Sequence, residues 1–134
     1  MEKEFDGTAL ARQGVVVVSV AYRLNVFGFF SHRWLQEKAE EGAPYANFGW
    51  LDQQAALRWV RRNITVFGGD PTRICVFGQS AGAASVLAQC CAPSNAGLFS
   101  RAIMQSGAGL GYFNATLCSL DSAQSTGARL MRRL

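Results

Sequence analysis

The sequence predicts an α/β fold in which parallel strands alternate with helices. Three short apolar runs, at residues 15–21, 74–77 and 102–105, have the length and composition of strands. The segments between them contain either apolar residues at helical spacing or a run of small residues suited to a helix. The order strand, helix, strand, helix, strand implies right-handed crossovers and therefore a parallel sheet.

Composition supports a globular chain with a large buried surface. Of the 134 residues, 49% are hydrophobic and 16% are charged, which argues against disorder. The net charge is +4, but the basic residues are scattered, so we expect no nucleic-acid partner. The longest apolar stretch is strand-sized and far shorter than a membrane span. The four cysteines lack the spacing of a metal site, and we expect no metal.

The sequence of the first third of the chain predicts the end of a short helix, one strand and a polar surface segment. Residues 6–13 are interpreted as the end of a short helix that Gly14 terminates. The β-branched run Val15–Ala21 is typical of a central strand covered on both faces. An aromatic loop at residues 27–30 follows. The polar residues 31–46 are then expected to form a surface segment with room for one helical turn.

A helix is predicted from Leu51 to Ile64, where apolar residues recur at helical spacing. We expect one face to cover the sheet. The side chains expected to face water are those of Gln54, Arg58, Arg61 and Arg62. Gly68 and Gly69 end this segment, and Asp70 is expected to cap the turn beside Pro71 rather than to act in catalysis.

The second half of the chain predicts a strand, a closely packed helix, another strand and a last helix. Cys75 is expected to be a core residue of the strand at 74–77. The residues expected to pack closely against the sheet are Ala83, Ala84 and Ala88. A break at 93–97 precedes the strand at 102–105. Asp121 is interpreted as the N-cap of a helix that ends at Leu134.

The main motif is Gly78-Gln79-Ser80-Ala81-Gly82, which lies between a predicted strand and a predicted helix. A Gly-x-Ser-x-Gly sequence in that context is the nucleophile elbow of α/β-hydrolases, where a strained turn exposes the serine hydroxyl. Glycines two positions before and after the serine leave room for a close backbone approach. The N–H of Ala81 would then point at a developing oxyanion. The alternative is a glycine-rich turn with a bystander serine.

Seven stretches together resemble type-B carboxylesterases, a family that includes cholinesterases and related lipases. They are VVVVSVAYRL (15–24), NFGWLDQ (47–53), ALRWV (56–60), NI (63–64), FGGDP (67–71), FGQSAGA (77–83) and GLFSRAIMQSG (97–107). The resemblance runs from about Asp6 to the C-terminus. It implies a partial α/β-hydrolase fold and hydrolysis of small-molecule carboxylic esters without a cofactor.

The resemblance also implies roles for individual residues. Ser80 would be the acylated nucleophile, and Ala81 would provide one oxyanion-hole N–H. Arg23 and Asp52 match a structural salt bridge of the family. Each of these two charges lies at the edge of an apolar segment, where a half-buried charge needs a partner, although two unrelated surface charges are the alternative.

One departure from the family pattern lies beside the nucleophile. The residue before the serine is usually Glu in this family and is Gln79 here. Glutamine keeps the length and hydrogen-bonding capacity of glutamate but lacks its negative charge. We therefore expect a weaker preference for cationic substrates such as choline esters.

The 134 residues lack part of the catalytic machinery that this chemistry needs. A serine hydrolase of this type needs a base and an acid in the order Ser, Asp/Glu, His. The one histidine, His32, precedes Ser80, and the one later carboxylate, Asp121, has a better interpretation as a helix cap. In the family the acid and the histidine lie downstream, beyond Leu134, and the glycine-rich loop that completes the oxyanion hole lies upstream, before Met1. Residues 1–134 are therefore expected to be part of a single domain truncated at both ends, and inactive on their own.

Two other interpretations stay open at this point. Cholinesterase-like adhesion proteins keep the fold and lose the chemistry, and a truncated relic would do nothing. Adhesion relatives generally lose the elbow serine as well, so Ser80 with both flanking glycines favours an enzyme. Two glycosylation patterns begin at Asn63 and Asn114, of which Asn114 is the better candidate. The compartment is open, with the secretory pathway favoured.

Overall fold

A computed structural model describes residues 6–107 and 118–133 of the chain. The first half contains four α-helices: α1 (Thr8–Ala11), α2 (Asn25–Phe29), α3 (Arg33–Lys38) and α4 (Phe48–Asn63). A 3₁₀ turn at Ile64–Phe67 extends α4. The second half contains β1 (Cys75–Gln79), α5 (Ala81–Cys91), a 3₁₀ turn (Pro93–Asn95), β2 (Arg101–Gln105) and α6 (Leu120–Met131).

The centre of the described structure is a parallel β–α–β unit. Strands β1 and β2 pair in parallel, with Cys75 opposite Arg101 and Gln79 opposite Gln105. Helix α5 connects them and packs on one face of the pair. Its side chain at Ala83 is completely buried, and Val86 is buried one turn later. Helix α4 lies against α5 and adds Val60, while the 3₁₀ turn adds Ile64, to the same small core.

The sequence wrongly predicts a paired strand at Val15–Ala21. The structure places this run outside any ladder of the described residues, and Val15 is 53% exposed. A β-branched run favours extended backbone, but a strand also needs a neighbouring strand about 4.8 Å away to accept and donate its hydrogen bonds. In the described part of the chain, β1 and β2 pair only with each other.

Burial of the sheet on both faces is also a wrong expectation. Along β1, exposed and half-buried residues alternate, because α5 covers one face and the other face is open. Cys75 and Phe77 lie on the open face, so Cys75 is exposed rather than a core residue. Strand β2 is exposed throughout. The alternation has the period of two that a strand imposes on its side chains.

Helix α4 exposes Arg58, Arg61 and Arg62 as predicted but departs from the expected pattern at two other side chains. Gln54, predicted to face water, is buried, and Trp59 is exposed. The amide of Gln54 donates to Ser94 Oγ at 3.2 Å and accepts from Arg58 at 3.4 Å, so burial leaves its polar atoms with partners. In α5, Ala83 is buried as predicted, whereas Ala84 is exposed.

The other predicted helices agree with the structure apart from their ends. Helix α1 precedes Gly14, which has a φ of 83°. The polar segment 31–46 contains α3. The N-cap of α6 is Ser119, whose Oγ accepts from the N–H of Ser122 at 3.2 Å, and Asp121 instead lies in the first turn, where a carboxylate favours the helix dipole.

Candidate active site

Ser80 occupies a strained turn between β1 and α5. Its φ of 54° and ψ of −119° lie in a region that residues with a side chain rarely adopt. Such a conformation costs about 1–3 kcal/mol and persists only where neighbouring structure enforces it. Here the N–H of Ser80 donates to the carbonyl of Gln105 at 2.9 Å, which continues the β1–β2 ladder into the turn.

Helix α5 fixes the carbonyl side of the same residue. The carbonyl oxygen of Ser80 accepts from the N–H groups of Ala83 and Ala84, at 2.9 and 3.1 Å. Ser80 is therefore the N-cap of α5 through its backbone, while its side chain makes no capping hydrogen bond. The backbone N–H and carbonyl of Ser80 are therefore both hydrogen-bonded, and the hydroxyl is not needed to cap the helix.

Two glycines of the motif have different steric roles. A Cβ at Gly78 would collide with the backbone carbonyl of Gly82, so the strand end and the helix start can approach only if residue 78 is glycine. A Cβ at Gly82 would meet none of the described atoms within 4 Å. In this structure the close approach of the strand end to the helix start therefore rests on Gly78.

Gly107, which follows the end of β2, packs against the backbone of Ser80. The sequence analysis did not predict this contact. A Cβ at Gly107 would lie 3.0 Å from Ser80 Cα and 2.9 Å from Ser80 C. Gly107 is buried, and Ser106 before it has a φ of 53°. The signal that could have revealed this contact is the parallel register, since the residues that follow two paired strands lie at the same edge of a sheet.

Ser80 and Ala81 lie together at the N-terminal end of α5. Ala81 is the first residue of α5, so its N–H has no acceptor within the helix and carries the positive end of the dipole. An anion that develops beside Ser80 would be stabilised by that N–H. Within the described residues, no hydrogen bond joins Ser80 Oγ to a base. His32 caps α3, accepting from the N–H of Trp34 at 3.1 Å through Nδ1.

Arg23 and Asp52 form a two-pronged ion pair that joins the end of the extended segment to α4. Arg23 Nε donates to Asp52 Oδ2 at 2.8 Å, and Nη2 donates to Oδ1 at 2.7 Å. The N–H of Arg23 donates to Oδ2 as well, at 3.0 Å. The guanidinium also lies 5.2 Å from the ring centroid of Phe48, in cation–π contact. The pair therefore fixes both backbone and side chain.

A sequence model described as "Carboxylesterase family" matches residues 1–131. The chain belongs to the carboxylesterase family. Para-nitrobenzyl esterase of Bacillus subtilis is 43% identical over 134 residues, covering 99% of this chain and 25% of the relative. Acetylcholinesterase 4 of Caenorhabditis briggsae is 52% identical over 104 residues, covering 77% of this chain and 16% of the relative. The chain thus spans a quarter or less of the length of these relatives.

The fold of this carboxylesterase-family chain agrees with solved esterase structures. A carboxylesterase from Geobacillus stearothermophilus superposes with a TM-score of 0.83 and 47% identity, covering 96% of this chain and 27% of that structure. A thermophilic para-nitrobenzyl esterase gives a TM-score of 0.80 and 42% identity. These neighbours have the α/β-hydrolase fold, so the predicted fold class is confirmed, with a small parallel sheet and its helices present here.

Of the other polar residues singled out in the sequence, Asp70 and Asn63 have structural partners. Oδ1 of Asp70 accepts from the N–H and the hydroxyl of Thr72, at 2.8 and 2.7 Å, and these bonds hold the pKa of Asp70 below its ordinary value. Asp70 therefore shapes the turn before β1. Gln79 is exposed at the end of β1. Asn63 Nδ2 donates to the carbonyl of Trp59 at 2.8 Å, while Asn114 lies outside the described residues.

The described ranges, 6–107 and 118–133, contain neither a cluster of metal ligands nor a membrane-spanning helix. Neither range contains a group of three or more His, Cys, Asp or Glu side chains placed to hold a metal ion. Neither contains a helix with the length and apolar character needed to cross a bilayer.

Substitution of the two motif glycines by alanine should have opposite effects on stability. Gly78→Ala should lower the free energy of unfolding by about 1–3 kcal/mol, because the new methyl collides with the carbonyl of Gly82. Gly82→Ala should be neutral or stabilising by up to about 1 kcal/mol, because alanine is the better helix residue and its methyl meets open space. Urea unfolding of the protein that carries this chain measures both, and equal losses would contradict the steric asymmetry.

The contribution of Asp52 to stability should depend on pH below its ordinary pKa. The hydrogen bonds from Arg23 lower the pKa of Asp52 from 3.8 to about 2. A carboxylate with a depressed folded-state pKa stabilises the fold above its unfolded pKa and loses that contribution as pH falls through the folded value. The difference in urea midpoint between the wild type and Asp52→Asn should therefore be constant above about pH 5 and shrink between about pH 4 and 2. A difference that does not change with pH would show that the pair does not contribute.

Proposed function

We propose that the protein carrying this chain hydrolyses carboxylic esters through an acyl-serine intermediate on Ser80. The observation that supports this most directly is the turn itself. Ser80 is held at a φ of 54° with both backbone polar groups bonded, directly before the first N–H of a helix. Strain of this kind is retained at sites where the geometry is used. Membership of the carboxylesterase family points to the same chemistry.

The proposed reaction has two steps. Ser80 Oγ attacks the ester carbonyl carbon while a general base removes its proton, and the N–H of Ala81 stabilises the oxyanion. Collapse of the tetrahedral intermediate breaks the bond to the alcohol, which leaves with the proton. Water then attacks the acyl-serine by the same route and releases the acid. The reaction needs neither a redox change nor a metal ion.

The base and the acid that orients it are assigned to parts of the protein outside these 134 residues. No histidine follows Ser80 in the sequence, and His32 is used as a helix cap. We therefore propose that residues 1–134 form part of a single α/β-hydrolase domain and supply its nucleophile, one oxyanion donor and the Arg23–Asp52 brace. This division accords with coverage of a quarter or less of the esterase and cholinesterase relatives.

A non-catalytic protein on the same fold is the second candidate. The observation that favours it is the lack of a base bonded to Ser80 among the described residues. The observation against it is the strained serine, because a binding or adhesion protein gains nothing from a costly conformation at that position. The enzyme is therefore the better supported function, and the next experiment separates the two.

Replacement of Ser80 by alanine in the full-length protein should abolish hydrolysis. The loss in kcat for p-nitrophenyl acetate should be about 10³-fold or greater, because the attacking oxygen is removed. Covalent labelling of the peptide around residue 80 by a fluorophosphonate should disappear as well. Ser85→Ala, on the same helix and half-buried, is the matched control and should keep both signals. A wild-type protein without hydrolysis or labelling would support the non-catalytic candidate.

Gln79 should reduce selectivity for cationic esters. We propose that the neutral amide at the end of β1 leaves the serine without a neighbouring carboxylate, so acetylcholine and its uncharged isostere, 3,3-dimethylbutyl acetate, should have similar kcat/KM values. Gln79→Glu should raise the ratio in favour of acetylcholine by about three- to tenfold, through attraction across a partly solvated site. A strong preference for acetylcholine in the wild type would refute this role.

A further inference from the structure

Gln89 is a buried polar residue in the last turn of the helix that begins after Ser80. Its side chain is 4% exposed, in a helix whose other inward residues are small or apolar, such as Ala83 and Val86. Burial of an amide is unfavourable unless its donors and acceptor are paired. Such a residue is therefore kept in place by specific partners, and those partners indicate what it does.

The partners of Gln89 lie on the neighbouring helix α4. Its Nε2 donates to Gln53 Oε1 at 2.8 Å and to the carbonyl of Trp50 at 3.1 Å. Both acceptors belong to the first half of α4, so the amide forms two bonds across the interface between the helices. These bonds connect residues 36 and 39 positions apart in the chain, which makes them tertiary contacts rather than local ones.

Asn95 fixes the acceptor side of the same amide. Its Nδ2 donates to Gln89 Oε1 at 2.7 Å and to the carbonyl of Gln89 at 2.9 Å. Asn95 is itself 4% exposed and lies in the 3₁₀ turn that follows α5. With both donors and the acceptor engaged, the Gln89 amide has one orientation, and the C-terminal end of α5 is fixed relative to α4.

Helix α4 is also anchored at Asp52, the residue before Gln53. The carboxylate of Asp52 accepts two hydrogen bonds from the side chain of Arg23 and one from its backbone N–H. The elbow helix, α4 and the end of the extended segment are therefore connected through adjacent residues. The first half of α5 is Ala-Gly-Ala-Ala-Ser, which packs closely on the strands but has no side-chain hydrogen bond to α4 like those of Gln89.

We propose that Gln89 is a positioning residue that keeps the N–H of Ala81 aimed at the oxyanion. This inference rests on the ester-hydrolase function proposed above. The two residues lie at opposite ends of a rigid helix, about 12 Å apart at 1.5 Å per residue. If the hydrogen bonds of Gln89 are lost, a small rotation of the helix moves the N–H of Ala81 at its other end. Displacement of this donor by about 1 Å weakens binding of the transition state far more than binding of the substrate.

The test is Gln89→Met in the full-length protein, because methionine keeps the length and volume and removes all three hydrogen bonds. We expect kcat for p-nitrophenyl acetate to fall by about tenfold with KM changed less than twofold. Gln53→Met, which removes one bond and leaves the bond to the carbonyl of Trp50, should have a smaller effect in the same direction. Adding Gln53→Met to Gln89→Met should change kcat by less than about twofold, because the shared bond is already lost.

Gln54→Met is the matched control. Gln54 is a buried glutamine on α4 beside Gln53, but its amide bonds Ser94 and Arg58 rather than α5. The control should lose stability as Gln89→Met does and keep its kcat. If the two variants lose kcat equally, or if Gln89→Met raises KM and leaves kcat unchanged, the positioning role is wrong.

Hydrogen–deuterium exchange of the peptide that contains Ser80–Ala84 provides a readout that does not need activity. Gln89→Met should speed exchange at this peptide relative to the wild type, whereas Gln54→Met should leave it unchanged. If the wild type hydrolyses no ester, the proposed function fails, and the exchange result still decides the inference about Gln89. Unchanged exchange at the elbow in Gln89→Met overturns it, whatever the activity.

Discussion

The hydrogen bond from the Ser80 N–H to the Gln105 carbonyl is the interaction on which the site depends. It extends the ladder of β1 and β2 one residue beyond the paired strands, into a turn whose backbone is unfavourable on its own. The helix uses the carbonyl of the same residue, and Gly107 packs against its Cα. Strand, helix and strand end therefore act together on one residue. The strain at Ser80 is sustained by many ordinary contacts rather than by one strong contact.

The parts of the fold that local sequence determines are predicted correctly. The β1–turn–α5 arrangement can be predicted from residues within about ten positions of Ser80, where strand-forming residues, a glycine and small helix residues follow each other. The fold class follows from the alternation of such segments. The pairing of Val15–Ala21 is not predictable in this way, since it depends on which strand lies alongside. For the same reason, composition does not reveal that Cys75 faces the open side of the sheet.

The polar contacts of the site also differ in whether their partners are close together or far apart in the sequence. The role of Asp70 in its turn involves Thr72, two residues away, and short-range side-chain bonding of this kind can be predicted. The link between Gln53 and Gln89 spans 36 residues, and Gln89 belongs to none of the stretches that resemble the family. A pattern of apolar residues indicates which helix face is inward. It does not indicate which polar side chains find hydrogen-bond partners in the interior. For this reason the prediction that Gln54 faces water is also wrong.

Ser80 and its hydrogen-bond partner Gln105 are far apart in the sequence, which affects when the turn can form during protein synthesis. Gln105 is added to the chain 25 residues after Ser80. At about 5–20 residues per second, the ribosome needs about one to five seconds to make that stretch. During this interval the turn lacks its ladder partner, and the serine is free to relax to an ordinary backbone conformation. The proposed nucleophile is therefore translated before the hydrogen bond that holds its turn can form, and that bond forms only when the second strand pairs with the first.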